Sequence, residues 1–391
     1  MRILGRIAAI TLVSASFVVG APRVAGAACQ MIMPGDPGGK ANTIIFKGCN
    51  IEINNGSGNT TTVNGLGNLT VGYNETRGAG DDRRTGSHNI VVGAKQNFSS
   101  YGGLVVGYQN ETSGSYATVN GGSENVASGP YAAIAGGRVN RATGAYGSVT
   151  GGQYGQAIGG SSMVLGGWNN HAAANFATVA GGSDNVAISD TPEDPYSVAY
   201  SIVAGGSHNT ASGDYSVVAG GWGNQASAFA SSVSGGSSNE AGGIYCWVGG
   251  GSNNQAVANL TSVLGGYDNY ASGDYAAVAG GRANTASGND SVVSGGRDNT
   301  ASGADASVSG GSDNEASGSK SSVSGGLYND ATYLGTSVSG GTQNTASGGY
   351  ASVTGGSYNG ASGQSASVSG GNSRDATGTN DWRAGAYFQD E

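Results

Sequence analysis

Along most of the chain, one apolar position and one small position recur among polar residues at a fixed spacing. Take Asn125 as reference. Val119 stands six residues before it, Gly121-Gly122 four and three before it, and Ala127 two after it. The same three columns return every 15 residues through Val368, Gly370-Gly371 and Ala376, in seventeen coils. Asn itself returns through Asn359, with Gly155 and Arg374 filling two Asn positions, and a nine-residue insertion separates Asn185 from Asn209. The segment Asn299 to Asp313, NTASGADASVSGGSD, carries the consensus.

A period of 15 is too short for a helix-turn-helix repeat or a propeller blade. It fits one coil of a β-solenoid with two short strands. One strand centres on Ala-Ser-Val-Ser-Gly, where alternation points Val308 inward and Ser307 and Ser309 outward. The other centres on Asn-x-Ala-x-Gly, with Ala301 inward. Gly-Gly supplies one sharp corner, since glycine reaches positive φ freely. Asn at the other corner is expected to stack on its copies along the axis. Val91-Val92-Gly93, Val105-Val106-Gly107 and Thr70-Val71-Gly72 read as degenerate coils upstream. The fold expected is therefore all-β: one parallel β-solenoid domain over residues 66–378, with about 20 coils and a length of roughly 95 Å. An N-terminal cap is expected over 28–65 and a C-terminal cap or tail over 379–391, where Trp382, Tyr387 and Phe388 cover the open last coil. Each coil buries only one Val and two or so small residues. More surface must then be buried between chains, which predicts an oligomer.

Composition agrees with a thin, repetitive chain. Of 391 residues 76 are Gly, and only 10% are charged. Arg2 and Arg6, the apolar stretch from Ile7 to Gly20, and Ala25-Gly26-Ala27 read as a secretory signal over residues 1–27. No later stretch has transmembrane length, so no direct membrane span is expected. Removing Arg2, Arg6 and Arg23 leaves 13 basic against 25 acidic residues, a net charge of −12. No basic stripe is present to displace the counterions of a nucleic acid. In an exported chain Cys29 and Cys49 are expected to form a disulfide in the N-terminal segment. Acylation of Cys29 is the alternative, weakened by Gly26 standing where a Leu is expected. Cys246 reads as a small apolar filler.

The columns Ser-Val-Ser-Gly-Gly and Asn-x-Ala-Ser-Gly resemble the repeats of YadA-like trimeric autotransporter adhesin heads, over about residues 66–378. The resemblance matches Val308 and Ala301, with their columns, to that family's inward positions. It implies a left-handed parallel β-roll, a homotrimer, and a secreted or cell-surface adhesive protein. The extra Gly lengthens the family's coil to 15. The chain resembles a head alone: Asn380 to Glu391 shows neither the heptads of a stalk nor the alternating strands of a membrane barrel.

Catalysis finds little support. His88, His171 and His208 have no Cys, Ser or carboxylate partner at motif spacing, and the Gly-Gly pairs lack the Lys-Ser/Thr of a phosphate loop. No enzyme activity and no cofactor are expected. Gly-Gly-Ser-Asp-Asn at 181–185 and 310–314 resembles calcium-binding rolls. Those place an Asp in each nine-residue turn, whereas here that column is mostly Ser, Gln, Tyr or Ala. The Ser pairs beside Val (307/309, 322/324, 337/339, 367/369) make a flat uncharged face. An ice-binding face favours Thr, and Met163, Leu165, Trp247 and Leu264 break the pattern. Calcium and ice binding are thus the lesser readings.

Two places remain for specific contact. Six residues after the Asn position stand Tyr116, Tyr131, Tyr146, Tyr215, Tyr245 and Tyr275. They either stack on glycans or matrix proteins, or pack between chains or against a neighbouring corner; the second is favoured. The insertion near 188–200 carries Asp190, Glu193, Asp194 and Tyr196, and loops on rigid scaffolds often bind. The function expected is attachment to cells, matrix proteins or glycans by repeated contacts; a passive surface filament or spacer is the alternative.

Overall fold

The computed structural model describes residues 29–78, 80–189 and 200–384. The described residues fall into two compact units, divided between Ile53 and Asn54. The first contains an antiparallel hairpin pairing Gln30–Ile32 with Ile45–Lys47, closed by a Cys29–Cys49 disulfide with Cα atoms 4.8 Å apart. The signal-like segment 1–27 and the residues Tyr387 and Phe388 lie outside the described residues.

The second unit is a parallel β-solenoid of about nineteen turns, and no described residue is helical. The valine columns form one ladder of two-residue strands, in which Ser307–Val308 pairs with Val292–Val293 before it and Ser322–Val323 after it. The alanine columns form a second, in which Thr300–Ala301 pairs with Thr285–Ala286 and Glu315–Ala316. Register is kept rung after rung, so in the regular coils each inward Val lies over a Val or Ile134 and each Ala over an Ala. The first valine rung is Leu69–Val71 and the last is Trp382–Arg383. No pairing joins these two, so each ladder is an open stack. At about 4.8 Å per rung, nineteen turns span about 90 Å. Trp382 takes an exposed outward position, with its indole N–H on Ser369 Oγ at 2.9 Å, so it does not lie over the last coil as a cap.

The interior holds what the columns dictate. Val119 through Val368 and Ala127 through Ala376 are buried as one continuous cluster. A third buried column, seven residues after each Asn, holds Ala117, Ala132, Ser216, Cys246, Thr261 and their equivalents. Thr261 donates to the Ala258 carbonyl at 2.8 Å, whereas the hydroxyls of Ser162, Ser201, Ser216, Ser291 and Ser321 have no partner. Alanine fits this column best, because a buried hydroxyl without a bond costs free energy.

The corners differ from the two-corner expectation. The Asn column turns no corner; it is fully buried, inside the coil. Its stacking runs through the backbone and, in several coils, through a direct bond such as Asn314 Nδ2 to Asn299 Oδ1 at 3.0 Å. Asn314 N donates to Asn299 Oδ1 at 3.1 Å, while Asn299 Nδ2 donates to the Gly295 and Gly311 carbonyls, both at 3.0 Å. Each Asn thus ties its own Gly corner, the next Gly corner and the next Asn. Instead, the chain turns through left-handed conformations at three places per coil. One is the second glycine of each pair: Gly296 has φ +91°, and an added Cβ would strike the Gly311 carbonyl. The other two carry ordinary side chains, such as Tyr131 (φ 58°) and Val139 (φ 57°). A β-branched residue rarely tolerates that region. Here the reversed corner lets the amide bond backward: Val139 N donates to Ser123 O at 3.0 Å and Tyr131 N to Ser115 O at 2.8 Å. Most other ladder amides, such as Val126 N to Asn140 O, bond forward. A third line of parallel bridges, through Ser123, Arg138, Gln153 and Trp168, follows the glycine corner.

Upstream, two rungs are one residue shorter: Val91, Val105 and Val119 lie in register at intervals of 14. There Gln96 replaces Asn, accepting from Asn110 N at 2.8 Å and donating to Val92 O at 3.1 Å.

Two substitutions test the Asn ladder. Asn299→Ala strips an acceptor from the buried Asn314 amide and two donors from the Gly295 and Gly311 carbonyls, and is expected to cost about 2–4 kcal/mol. Gly155→Asn supplies the missing link between Asn140 and Asn170, and is expected to add about 1 kcal/mol. Urea unfolding followed by circular dichroism reads both. An Asn299→Ala midpoint equal to that of the parent chain contradicts the assignment.

Candidate functional site

The solenoid presents distinct faces, and each candidate residue falls on one of them. The sixth position after each Asn is a left-handed corner, so its side chain leaves the coil at an edge. Tyr116 and Tyr131 stack at 5.2 Å and Tyr131 and Tyr146 at 4.9 Å, the latter pair 2° from parallel; Tyr101 starts the run edge-on. A second run passes from Phe176 through Tyr200, Tyr215 and Phe229 to Tyr245, with centroids 5.1–5.5 Å apart. Tyr275 stands apart, beyond Leu260, with no ring neighbour among the described residues. The six tyrosines therefore do not form one stripe. Five belong to two ladders: the rings of Tyr116, Tyr131 and Tyr146 lie face to face, whereas those of the second run meet at tilts that open to edge-on by Phe229 and Tyr245.

Asp190, Glu193, Asp194 and Tyr196 lie outside the described residues. Cys246 is buried where other coils place Ala, Ser or Thr, and burial pushes its thiol up to about 11, so it stays protonated at neutral pH.

The corner before each Asn collects charge. Asp184 accepts from Asn169 Nδ2 at 2.8 Å, and Arg297 lies between Asp298 and Asp313 at 3.3 and 3.5 Å. These aspartates of the Gly-Gly-x-Asp-Asn segments are engaged by neighbouring side chains. Among the described residues, no three His, Cys, Asp or Glu side chains converge as a metal site. Sequence spacing missed one grouping, because its members come from adjacent coils. Ser207 Oγ lies 2.7 Å from His208 Nδ1, and His208 Nε2 lies 3.9 Å from Asp184. The order is that of a hydrolase triad, but the carboxylate is beyond hydrogen-bond reach and the imidazole is mostly exposed beside Trp222. His171 is half-buried on the alanine sheet, and desolvation lowers its pKa. His88 Nε2 accepts from Asn55 N at 3.2 Å, tying an early loop to the first coils.

The outer face of the valine sheet is set apart by what it lacks. In nineteen rungs from Ile90 to Ser369, neither residue flanking the inward Val or Ile is charged. Its first twelve rungs expose Met163, Leu165, Ile202, Trp247 and Leu264; its last seven are almost entirely Ser and Ala. Charge is placed elsewhere, as at Glu124, Arg138, Glu240, Asp268, Arg282 and Glu315.

At the N-terminal coils a charged strap crosses the alanine sheet. Arg77 donates to the carbonyls of Lys95 (2.9 Å) and Asn110 (2.8 Å) and lies 3.7 Å from Glu111, which Arg83 also meets at 3.1 Å.

The sequence matches no protein-family model and no curated protein. Among the described residues, no helix is long and apolar enough to cross a membrane.

The ring ladders can be tested directly. Tyr131→Ala removes two stacks and is expected to cost on the order of 1–3 kcal/mol, whereas Tyr275→Ala changes stability by about 0.5 kcal/mol or less. Equal losses in thermal melts would show that the ladder geometry carries no energy.

Proposed function

We propose that this chain is an exported, non-enzymatic scaffold that assembles into a homotrimer through the charge-free face of its valine sheet. The trimer then attaches to cells, matrix proteins or glycans through repeated contacts on its other faces. The observation that carries this reading is the exclusion of charge from one sheet face along nineteen rungs, in a chain that places charge on its other surfaces, as at Arg138, Glu240, Asp268 and Glu315. A face that stays in water has no reason to exclude charge so consistently. One that packs on copies of itself does, since a buried unpaired charge is costly. The resemblance of the Ser-Val-Ser-Gly-Gly and Asn-x-Ala-Ser-Gly columns to YadA-like heads supports the same assembly and a place at the cell surface. Repetition supports attachment: identical rungs would repeat each contact at the rung spacing, and three parallel rods would multiply weak contacts into avidity. The stacked tyrosines, whose faces are spent on one another, favour a second reading as a passive spacer.

Sedimentation of residues 28–391 should give three times the chain mass. Met163→Asp combined with Leu264→Asp should release monomers that keep their β content. Beads coated with the parent chain should retain cells or matrix protein more strongly than beads coated with that variant. A parent chain that sediments as a folded monomer contradicts the assembly; trimers that retain nothing leave the spacer.

A further inference from the structure

We propose that the trough between Tyr328 and Tyr358 binds an extended β-1,4-linked glycan lying along the solenoid axis. Tyr328, Gln343 and Tyr358 occupy the left-handed corner before Asn in three successive coils, with φ of 56°, 53° and 57°. Their amides make the same backward bond, to Ser312, Leu327 and Thr342, at 2.9–3.1 Å. The shared backbone sends all three side chains off the same edge. The two phenol rings are 50% and 58% exposed and flank a hollow of about 390 Å³, whose remaining lining is Asp330, Gln343 and Thr345.

Spacing selects the ligand. Two rungs separate the tyrosines by a little under 10 Å. In an extended β-1,4-linked chain the same sugar face recurs every second residue, and that disaccharide rise matches the two-rung step. Alternate sugars can then lie on Tyr328 and Tyr358 through their C–H faces. The sugar between them meets the Gln343 amide, the Thr345 hydroxyl and the Asp330 carboxyl, which suit a ring of hydroxyls. Partial burial and neighbouring Glu315 both raise the pKa of Asp330, and hydroxyl donors from a sugar would favour its charged form. The tyrosine ladders at the other corner cannot serve in this way, because rings 4.9–5.2 Å apart leave no room for a sugar. Tyr245 and Tyr275 also stand two rungs apart, but apolar Leu260 takes the place that Gln343 has here.

This inference deepens the adhesive reading and names its ligand class, yet the two can fail separately. A trimer can hold a matrix protein without binding sugar, and a monomer can bind sugar without adhesion. The test is calorimetric titration of residues 28–391 with cellohexaose, chitohexaose and, as a helical α-1,4-linked comparison, maltohexaose. Saturable binding of a β-1,4-linked hexasaccharide is expected, with no binding of maltohexaose. Tyr328→Ala and Tyr358→Ala should each weaken it about tenfold. Tyr328→Phe, which keeps the ring, and Tyr275→Ala should leave it unchanged. Circular dichroism melts establish that each variant is folded. The proposal is overturned if neither β-1,4-linked sugar binds, if maltohexaose binds equally, or if Tyr275→Ala weakens binding as much as Tyr328→Ala.

Discussion

A buried amide that must be satisfied on every side sets the geometry of this molecule. An Asn side chain with no exposure needs acceptors for its two N–H groups and a donor for its oxygen. In each regular coil these come from the Gly-corner carbonyl of its own coil, the Gly-corner carbonyl of the next, and the next Asn amide. All three are met only when the next coil lies one rung above in strict register. The ladder is kept across the nine-residue insertion in the sequence between Asn185 and Asn209, for Asn209 N still bonds Asn185 Oδ1 at 3.0 Å. The hydrophobic columns supply cohesion, but Val over Val and Ala over Ala would tolerate a looser stack.

The same ladder explains the unusual corners. Because forward bonds hold the strands and the Asn column holds the Gly turn, the remaining two corners are forced into the left-handed region whatever residue they carry. Their amides find acceptors in the preceding coil, which offsets the steric cost for residues as unsuitable as Val139. Those corner side chains then emerge at edges, at one-rung intervals and in fixed directions. The molecule becomes a ruler. Aromatic residues on consecutive rungs stack on themselves, and aromatic residues on alternate rungs frame a trough.

The fold was legible because its determinants repeat. The Val, Ala, Gly-Gly and Asn columns can be read from spacing alone, and alternation gives the direction of Val308 and Ala301. The inward position of Asn and the left-handed corners were not legible. Asn is common at turns, so a corner is its natural reading, while Tyr131 and Val139 bear no turn signature. The surface features were harder still. The grouping of Ser207, His208 and Asp184, and the trough from Tyr328 to Tyr358, join residues of different coils in columns without consensus. They become visible only when the coils are stacked. The uncharged face beside Val was legible in the Ser pairs of the later coils; its continuation through the earlier rungs, where Met163 and Trp247 replace Ser, shows only when both columns are read for charge.

Native-state hydrogen exchange of individual amides tests the Asn ladder most directly. The account predicts that the amides of Asn284, Asn299, Asn314 and Asn329, each held by the preceding Asn oxygen, exchange among the slowest in the chain. The amide of Asn170, which faces Gly155 and has no such oxygen below it, should exchange far faster. Equal protection at Asn170 and Asn314, or rapid exchange throughout the column, would contradict the claim that these side chains hold the stack.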